Sequence, residues 1–491
     1  MKRDGTGKVR VEEENVSEST ACERFRAERV AYWNGVALRR WQGIGGYYHR
    51  RLAEIFRFLI PPGQRVLEIG CGAGDLLAAV SPAVGVGIDF SEEMVKRASR
   101  RHPGLRFVHA DAHSFCLGET FDAIILSDLV HDLWDVQAVF ERAARHSTPR
   151  TRIIINSYSR LWELPLEAAK RLGLARPLVS QNWLTVQDVS HILHLTDFEV
   201  VRTWSEILWP FWLPLIAGFL NKVFVRFWPF SQLAMTNFVV ARPAPRSDGA
   251  KVVPSVSVIV PARNEAGNIP AIFKRVPEMG SGTEIVFVEG GSTDGTFSSI
   301  EGEMARNPGR RSVLLRQEGT GKGDAVRLGF SRAKGDVLMV LDADLTVPPE
   351  DLPRFYEALD SGKGDLINGV RLVYPMEKQA MRFFNLLANK GFSLAFWWLL
   401  GQPVKDTLCG TKVLKRTDYE RIAANRAYFG DFDPFGDFDL LFGAARLGMR
   451  IVDLPVRYRE RVYGTTNIER WRHGWLLLKM VLFACRRLKF V

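Results

Sequence analysis

A chain of 491 residues is too long for one ordinary domain, so two or three are expected. Its hydrophobic fraction of 46% is enough for globular cores and excludes a multispan membrane protein. The formal net charge of +11 suits an anionic partner: nucleic acid, a phosphorylated substrate or an acidic lipid surface.

The chain opens with MKRDGTGKVRVEEENVSEST, which has no apolar core. It does not read as a secretory signal, and residues 1–25 are expected to be a disordered tail. The five cysteines, Cys22, Cys71, Cys116, Cys409 and Cys485, are odd in number, far apart and form no CxxC pair. That pattern points away from a disulfide framework or zinc site and toward a reducing, cytoplasmic setting. Short β-rich runs at 65–69, 84–88, 106–108, 123–126 and 152–155 alternate with helical patterns. The alternation predicts a parallel sheet covered by helices, an α/β domain.

The first run leads into RVLEIGCGAGD, a strand followed by Gly70, Gly72 and Gly74. Glycine lets the backbone turn tightly and approach a ligand at the N-terminus of the next helix. The next strand ends in Asp89, an acid placed to accept ribose hydroxyls. The third ends FVHADAHSF, which puts Asp111 at the same sheet edge, and the fourth gives FDAIILSDLVHDL. Residues from about Tyr47 to Arg242 resemble the class I S-adenosylmethionine-dependent methyltransferases, with the E-x-G-x-G-x-G form at Glu68, Gly70, Gly72 and Gly74. The resemblance implies a Rossmann-like fold that binds S-adenosylmethionine. Gly70 and Gly72 would line its methionine part, Asp89 its ribose, and Asp111 with Ala112 its adenine. Ser127 and Asp128 would border the methyl group. His131 is a candidate general base in reach of an acceptor hydroxyl, although a lone histidine is as often structural. No NPPY-type segment occurs, which points to a small-molecule or glycan hydroxyl as methyl acceptor.

Three apolar, aromatic-rich segments follow: LWPFWLPLIAGFL (208–220), GFSLAFWWLLG (391–401) and WLLLKMVLFAC (475–485). Each is shorter than the ~20 residues a spanning helix needs. The first is evenly balanced between core helix and anchor. The last two read as interfacial helices, because tryptophans and basic flanks suit the headgroup boundary. Between the first two lies ARPAPRSDGAKVVPS (241–255), rich in proline, small and charged residues, which reads as a linker.

After the linker the alternation restarts at 256–260, 284–288, 312–315 and 337–341. VSVIVPARNEAGNIPAIF opens this half, with Pro261, Ala262, Asn264 and Glu265 where strand gives way to helix. The next strand ends VEGGSTDGT, beginning at Val288 with Glu289 next. GTGKGDAVRLGF then sets glycines around Lys322 and Arg327, a combination that suits a diphosphate. LMVLDADLTVPPED places Asp342 and Asp344 at a strand end. Acids at i, i+2 there suit a hard divalent cation, Mg²⁺ or Mn²⁺, which takes carboxylate plus phosphate oxygens and bridges a nucleotide diphosphate.

This half, from Val256 to about Lys489, resembles inverting family 2 glycosyltransferases of the GT-A fold, and among them the dolichyl-phosphate mannose synthase group. The resemblance implies that Pro261, Ala262, Glu265 and Glu289 contact the nucleoside, and that Asp342 and Asp344 bind the cation and diphosphate. DTLCGTKVLKR (406–416) would close over the donor sugar. The later motif carries Asp437, Asp439, Arg459, Arg461 and Gly464. The family often has an Asp pair where Glu289 and Gly290 stand here, which leaves GDP- and UDP-sugars both open as donors. A basic residue common in the family is Asn467 here, which puts weight on Arg461 for the acceptor phosphate. A polyprenyl phosphate brings its own nucleophile, held by Arg459 and Arg461; a glycan hydroxyl needs a base, Asp437 or Asp439.

The expectation is therefore two α/β domains: a methyltransferase over 1–240, a linker over 241–255, and a GT-A glycosyltransferase over 256–491 with an amphipathic C-terminal segment. The expected function is bifunctional, methyl transfer plus metal-dependent inverting sugar transfer, in surface glycan or glycolipid assembly. The expected location is peripheral, at the cytoplasmic face of a membrane. In the alternative, only the glycosyltransferase is catalytic and the first half is a binding or membrane-docking module. Nucleic acid is not an expected partner, because the charges are scattered rather than clustered with stacking aromatics.

Overall fold

The computed structural model describes residues 6–37, 46–171, 179, 181–245, 253–371, 383–430, 436–459, 461, 463 and 470–491. The chain divides into two compact units, Met1–Ala244 and Pro245–Val491.

In the first unit seven strands form one sheet: β1 (Arg65–Ile69), β2 (Val84–Asp89), β3 (Arg106–His109), β4 (Phe121–Ser127), β5 (Ser147–Tyr158), β6 (Phe198–Glu206) and β7 (Thr236–Pro243). Their spatial order is β3-β2-β1-β4-β5-β7-β6. The first five run parallel, and β7 is antiparallel to both β5 and β6. The central strands are buried almost continuously, as at Leu67, Val86 and Ile124, because helices cover a parallel sheet. The chain reverses its direction of winding between β1 and β4. That switch point opens a crevice at the carboxyl ends of these two strands.

In the second unit the strands are β8 (Val256–Ala262), β9 (Thr283–Glu289), β10 (Ser312–Arg316), β11 (Val337–Val340), β12 (Leu366–Val370), β13 (Lys412–Lys415) and β14 (Ile451–Pro455). Their order is β10-β9-β8-β11-β13-β12-β14. The first four are parallel, β13 is antiparallel to β11 and β12, and β14 is parallel to β12. All nine strands read from the sequence are present. The five not read are the mixed-direction strands that complete each sheet.

Three boundaries differ from expectation. The segment expected as a disordered tail enters a helix, Thr6–Ala37, whose side chains are described from Ala21 onward. This helix docks on Glu92–Arg101. Val36, Ala37 and Met94 form a buried cluster, and the Arg97 guanidinium donates to Ala37 O at 2.7 Å. Tertiary contacts from apolar residues past the polar start hold it. At the linker, β7 continues to Pro243, and Ser255 donates from N and Oγ to Asp336. Residues 246–252 lie outside the described part.

Among the described residues, no helix is long and apolar enough to cross a membrane. Segments 391–401 and 475–485 lie in two helices, Phe383–Leu400 and Arg470–Ala484, that each bury one face. Phe396, Leu400, Leu477 and Ala484 enter the core, while Trp397, Trp475 and Leu482 stay exposed. Segment 208–220 is not a core helix. Most of it is irregular, ending in the short helix Ile216–Lys222, and its large apolar side chains face outward.

Candidate functional site

Each unit brings part of its expected residues to the carboxyl ends of its parallel strands. In the first unit a partly open cleft is lined by Gly70, Asp89, Asp111, Ala112, Leu129 and Trp134, and is roofed by Phe25, Arg26 and Arg29 of the first helix. Asp89 ends β2. Its Oδ2 accepts the Gly72 N–H and its Oδ1 the Ser91 N–H, both at 2.9 Å, and burial pushes its carboxyl above the ordinary value. This fixes the acid against the glycine turn while lone pairs remain for hydroxyl donors. Asp111 is held down to about 2, chiefly by the His113 ring at 2.7 Å. Arg26 reaches it at 3.1 Å from above.

The three glycines are needed for different reasons. Gly70 and Gly74 take φ of 73° and 75°, and a Cβ would lie 2.6 Å from Leu129 and Phe107 respectively. Gly72 takes φ of 50° but has open space where its Cβ would be. Glu68, expected to bind the cofactor, does not line the cleft. It is 2% exposed, and its Oε2 accepts the Leu77 N–H at 3.0 Å, tying the glycine turn to the helix Asp75–Ala79. Ser127 pairs with Asn156 in the sheet and also lies outside the lining.

Asp128 follows Ser127 with φ of 51°, a strained backbone for a non-glycine residue. Tyr48 Oη donates to both its carboxylate oxygens at 2.9 Å, and Asn156 Nδ2 donates at 2.6 Å. Burial pushes its carboxyl up to about 7. Asn156 Oδ1 is buried beside it without a partner. Tyr158 lies against Tyr48, ring centroids 6.0 Å apart.

Of the two readings of His131, general base or structural residue, its surroundings favour the structural one. His131 is fully buried; its Nδ1 donates to Asn182 O at 2.7 Å, and its Nε2 accepts the Tyr158 N–H at 2.6 Å. Both ring nitrogens are used by backbone, and burial lowers its basicity. It positions the strand that carries Tyr158 instead.

In the second unit, Pro261 and Ala262 end β8, and Ala262 pairs in register with Glu289 at the end of β9. Burial opposes ionisation of Glu289, yet Ser292 and the Gly291 N–H hold it below its ordinary value. Asn264 and Leu345 take φ of 58° and 56°, the turns at which β8 and β11 leave the sheet. Asp342 Oδ1 lies 2.6 Å from Lys322 Nζ. Burial opposes both charges, but Lys322 pulls Asp342 below its ordinary value, and Asp342 with Asp437 raises Lys322. Asp344 accepts from Thr346 Oγ at 2.8 Å and from Arg461 at 2.7 Å; Arg461 also reaches Glu265 at 3.1 Å.

Two residues that sequence reasoning missed complete this cradle. Arg371, just past β12, forms a bidentate pair with Asp406 at 2.7 and 2.8 Å. Lys412 is fully buried, donates to Cys409 O and lies 3.6 Å from Asp437. Arg371 and Lys412 both act on Asp342. The burial of Lys412, seen only in the structure, marks it, because Lys is almost never fully buried unless paired.

The i, i+2 pair Asp437 and Asp439 diverges. Both are buried, but Asp437 faces Lys412 and the Lys322 side of the cradle, whereas Asp439 is held by Arg426 at 2.8 Å. Of the two candidate bases, Asp437 or Asp439, the ion pair engages Asp439 and leaves Asp437 on the cradle side. Arg459 is exposed, its N–H donates to Thr346 O, and its charge acts on Glu350 rather than on the cradle. Gly464 and Asn467 lie outside the described residues.

Among the described residues, no three His, Cys, Asp or Glu converge as a metal cage. Mg²⁺ is usually held by one or two carboxylates together with substrate phosphates. Asp342 and Asp344 fit that requirement once Lys322 and Arg461 turn to phosphate oxygens.

A methyltransferase domain model matches residues 66–150, and the glycosyl transferase family 2 model matches residues 257–422. Over 236 residues the chain is 30% identical to the dolichol-phosphate mannosyltransferase of Pyrococcus furiosus, covering 46% of this chain and 64% of that protein. It is 39% identical over 222 residues to the undecaprenyl-phosphate 4-deoxy-4-formamido-L-arabinose transferase of Edwardsiella ictaluri, covering 44% and 64%. It is 30% identical over 217 residues to the polyprenol monophosphomannose synthase of Mycolicibacterium smegmatis, covering 43% and 80%. The chain thus spans just under two thirds of the length of the first two relatives.

Proposed function

The chain belongs to glycosyltransferase family 2 and carries a methyltransferase domain ahead of that region, and we propose that it is bifunctional. The second unit transfers a sugar from a nucleotide sugar, a GDP- or UDP-sugar, to polyprenyl phosphate. The first transfers a methyl group from S-adenosylmethionine. The two activities serve one assembly line for a surface glycan or glycolipid.

The observation that carries the glycosyl half is the cradle, in which Lys322, Arg371, Lys412 and Arg461 surround Asp342, Asp344 and Asp437. A buried array that balances several cations against several acids is suited to exchange carboxylate partners for phosphate oxygens. Asp342 and Asp344 would hold Mg²⁺ or Mn²⁺, which supplies charge stabilisation to a departing diphosphate. Lys322, at the N-terminus of the helix Lys322–Arg332, adds its own charge to the helix dipole. Arg461 is poised to hold an acceptor phosphate, whose oxygen needs no protein base.

In the first unit the cleft residues orient the nucleoside, and bound S-adenosylmethionine supplies an electrophilic methyl group. Asp128 takes the proton from an acceptor hydroxyl. Tyr48 and Asn156 aim its carboxylate. The exposed Trp397, Trp475 and Leu482, with Arg486 and Arg487 close in sequence, suit peripheral attachment at the cytoplasmic face of a membrane.

The test is a transfer assay with GDP- and UDP-sugars, a short polyprenyl phosphate and Mn²⁺ or Mg²⁺, comparing wild type with Asp344→Ala. Metal-dependent glycolipid formation, lost in the variant, is expected. Donor hydrolysis without glycolipid moves the acceptor to a glycan hydroxyl, with Asp437 as base. S-adenosylmethionine binding with no transfer to any acceptor would leave the first unit a binding module.

A further inference from the structure

We propose that the connection between β6 and β7, residues 207–235, is a bilayer-docking surface of the first unit that brings a lipid-carried methyl acceptor to Asp128. This rests on the reading of that unit as a methyltransferase. The outer side of the connection exposes Trp209, Phe211, Trp212, Leu215, Phe219 and Trp228, with Leu215 at 93% and Trp228 at 81%. A soluble monomer rarely exposes an apolar patch this dense without a partner for it.

The patch is held on a rigid base. Ala217, Asn221, Val225 and Ala234 are buried beneath it. Asn221 accepts the Trp209 N–H at 2.7 Å and donates to Trp209 O at 2.6 Å. Met235 N–H donates to Ile207 O at 2.8 Å, closing the neck of the connection. Trp162 Nε1 donates to Leu233 O at 2.9 Å, and its exposed neighbours Leu161 and Leu164 extend the apolar area. The aromatic side chains are therefore presented outward by a built framework.

Charge selects the occupant. Residues 207–235 contain no Asp or Glu, and their charged residues are Lys222 and Arg226. Arg226 pairs with Glu206 at 2.5 Å, while Lys222 is exposed. Within 207–235, tryptophan, phenylalanine and leucine with one exposed cation and no acid match the boundary between acyl chains and anionic headgroups, and Glu163 enters only with the flanking Leu161 and Leu164.

The same framework reaches the methyl site. Asn221 Nδ2 also donates to Tyr47 Oη at 3.2 Å. The adjacent Tyr48 donates to Asp128, and Thr236, the first residue of β7, donates to Tyr48 Oη at 3.4 Å. Hydrogen bonds through Tyr47, Tyr48 and Thr236 thus link the docking surface to Asp128, and this link sets the side from which a bilayer-seated acceptor approaches.

The test uses the full chain and vesicles of phosphatidylethanolamine with phosphatidylglycerol. Amide hydrogen exchange is read within 207–233, so attachment through the second unit does not count. Vesicles are expected to protect these amides. The combined variant Trp212→Ser, Leu215→Ser, Trp228→Ser should lose the protection and bind vesicles at least about tenfold more weakly. Its affinity for S-adenosylhomocysteine, measured by calorimetry, should be unchanged. Wild type that fails to bind S-adenosylhomocysteine sinks the methyltransferase reading. Wild type that binds it while vesicles leave 207–233 unprotected sinks the docking surface. A variant that instead loses self-association makes the patch an interface between copies, and also overturns the proposal. Finally, labelled methyl groups should enter the organic phase when vesicles of total lipid extract are supplied. Label in the aqueous phase alone, or no label, overturns the lipid-carried acceptor.

Discussion

At the scale of single residues, the two sites differ in how their acids are poised. Asp128 is raised by burial to about 7, so its base form is populated only as pH climbs through that value. Methyl transfer should rise between pH 6 and 8 with a midpoint of about 7, and Asp128→Asn should lower kcat by roughly 10²–10⁴-fold. The sign for stability is opposite. The unfolded carboxyl ionises near 4 and the folded one near 7, so the folded state binds the extra proton. Stability should therefore fall as pH rises from about 4 to about 7. Melting curves of Asp128→Asn across this range should be flatter than wild type; equal slopes would reject the assignment. In the second unit, Asp437 and Asp439 separate by role. Asp439→Asn breaks a buried pair with Arg426 and should destabilise by roughly 2–4 kcal/mol, with nucleotide binding intact in the folded fraction. Asp437→Asn leaves the fully buried Lys412 without its carboxylate, so it should destabilise as well, but it should also lose sugar transfer in the folded fraction. Thermal melts paired with transfer assays separate these outcomes.

At the scale of elements, the turns after β1, β8 and β11 do the positioning. Gly74→Ala would force a Cβ into the Phe107 ring at φ of 75°. It should cost on the order of 1–3 kcal/mol and abolish tight S-adenosylmethionine binding. Gly72→Ala meets strain but no neighbour, so it should cost about 1 kcal/mol and weaken binding less. Calorimetric titration of both variants checks the order. The glycine turns and the strands before them were legible because they combine continuous apolar runs with left-handed turns. β6, β7, β12, β13 and β14 were not legible. β6 and β7 are separated by the connection 207–235, β13 has four residues, and β12 contains Asn368 and Gly369 within an otherwise apolar run. Each is a strand because a sheet edge was waiting for it, and pairing of that kind leaves little local signal.

At the scale of the whole molecule, each unit has its own sheet and core. Two thermal transitions are expected. S-adenosylhomocysteine should raise the midpoint of one and a nucleoside diphosphate with Mn²⁺ that of the other, by mass action on the folded unit that binds each. Scanning calorimetry with each ligand alone checks this, and a single transition moved by both ligands would contradict it.

The sequence by itself determined the two α/β patterns, the two glycine-marked strand ends and the acids Asp89, Asp111, Asp342 and Asp344, because these depend on local periodicity and turn chemistry. Tertiary structure decided which of the remaining polar residues belong to a site. His131 and Asp439 look like catalytic groups in the sequence, but backbone partners and Arg426 occupy them. Arg371, Tyr48 and Asn156 have no motif of their own, and Lys412 carries no mark of its role within DTLCGTKVLKR, yet folding brings them to the two sites. A residue's chemistry is set by what neutralises or desolvates it. Those neighbours come from segments tens to hundreds of residues away, as Arg461 does to Asp344.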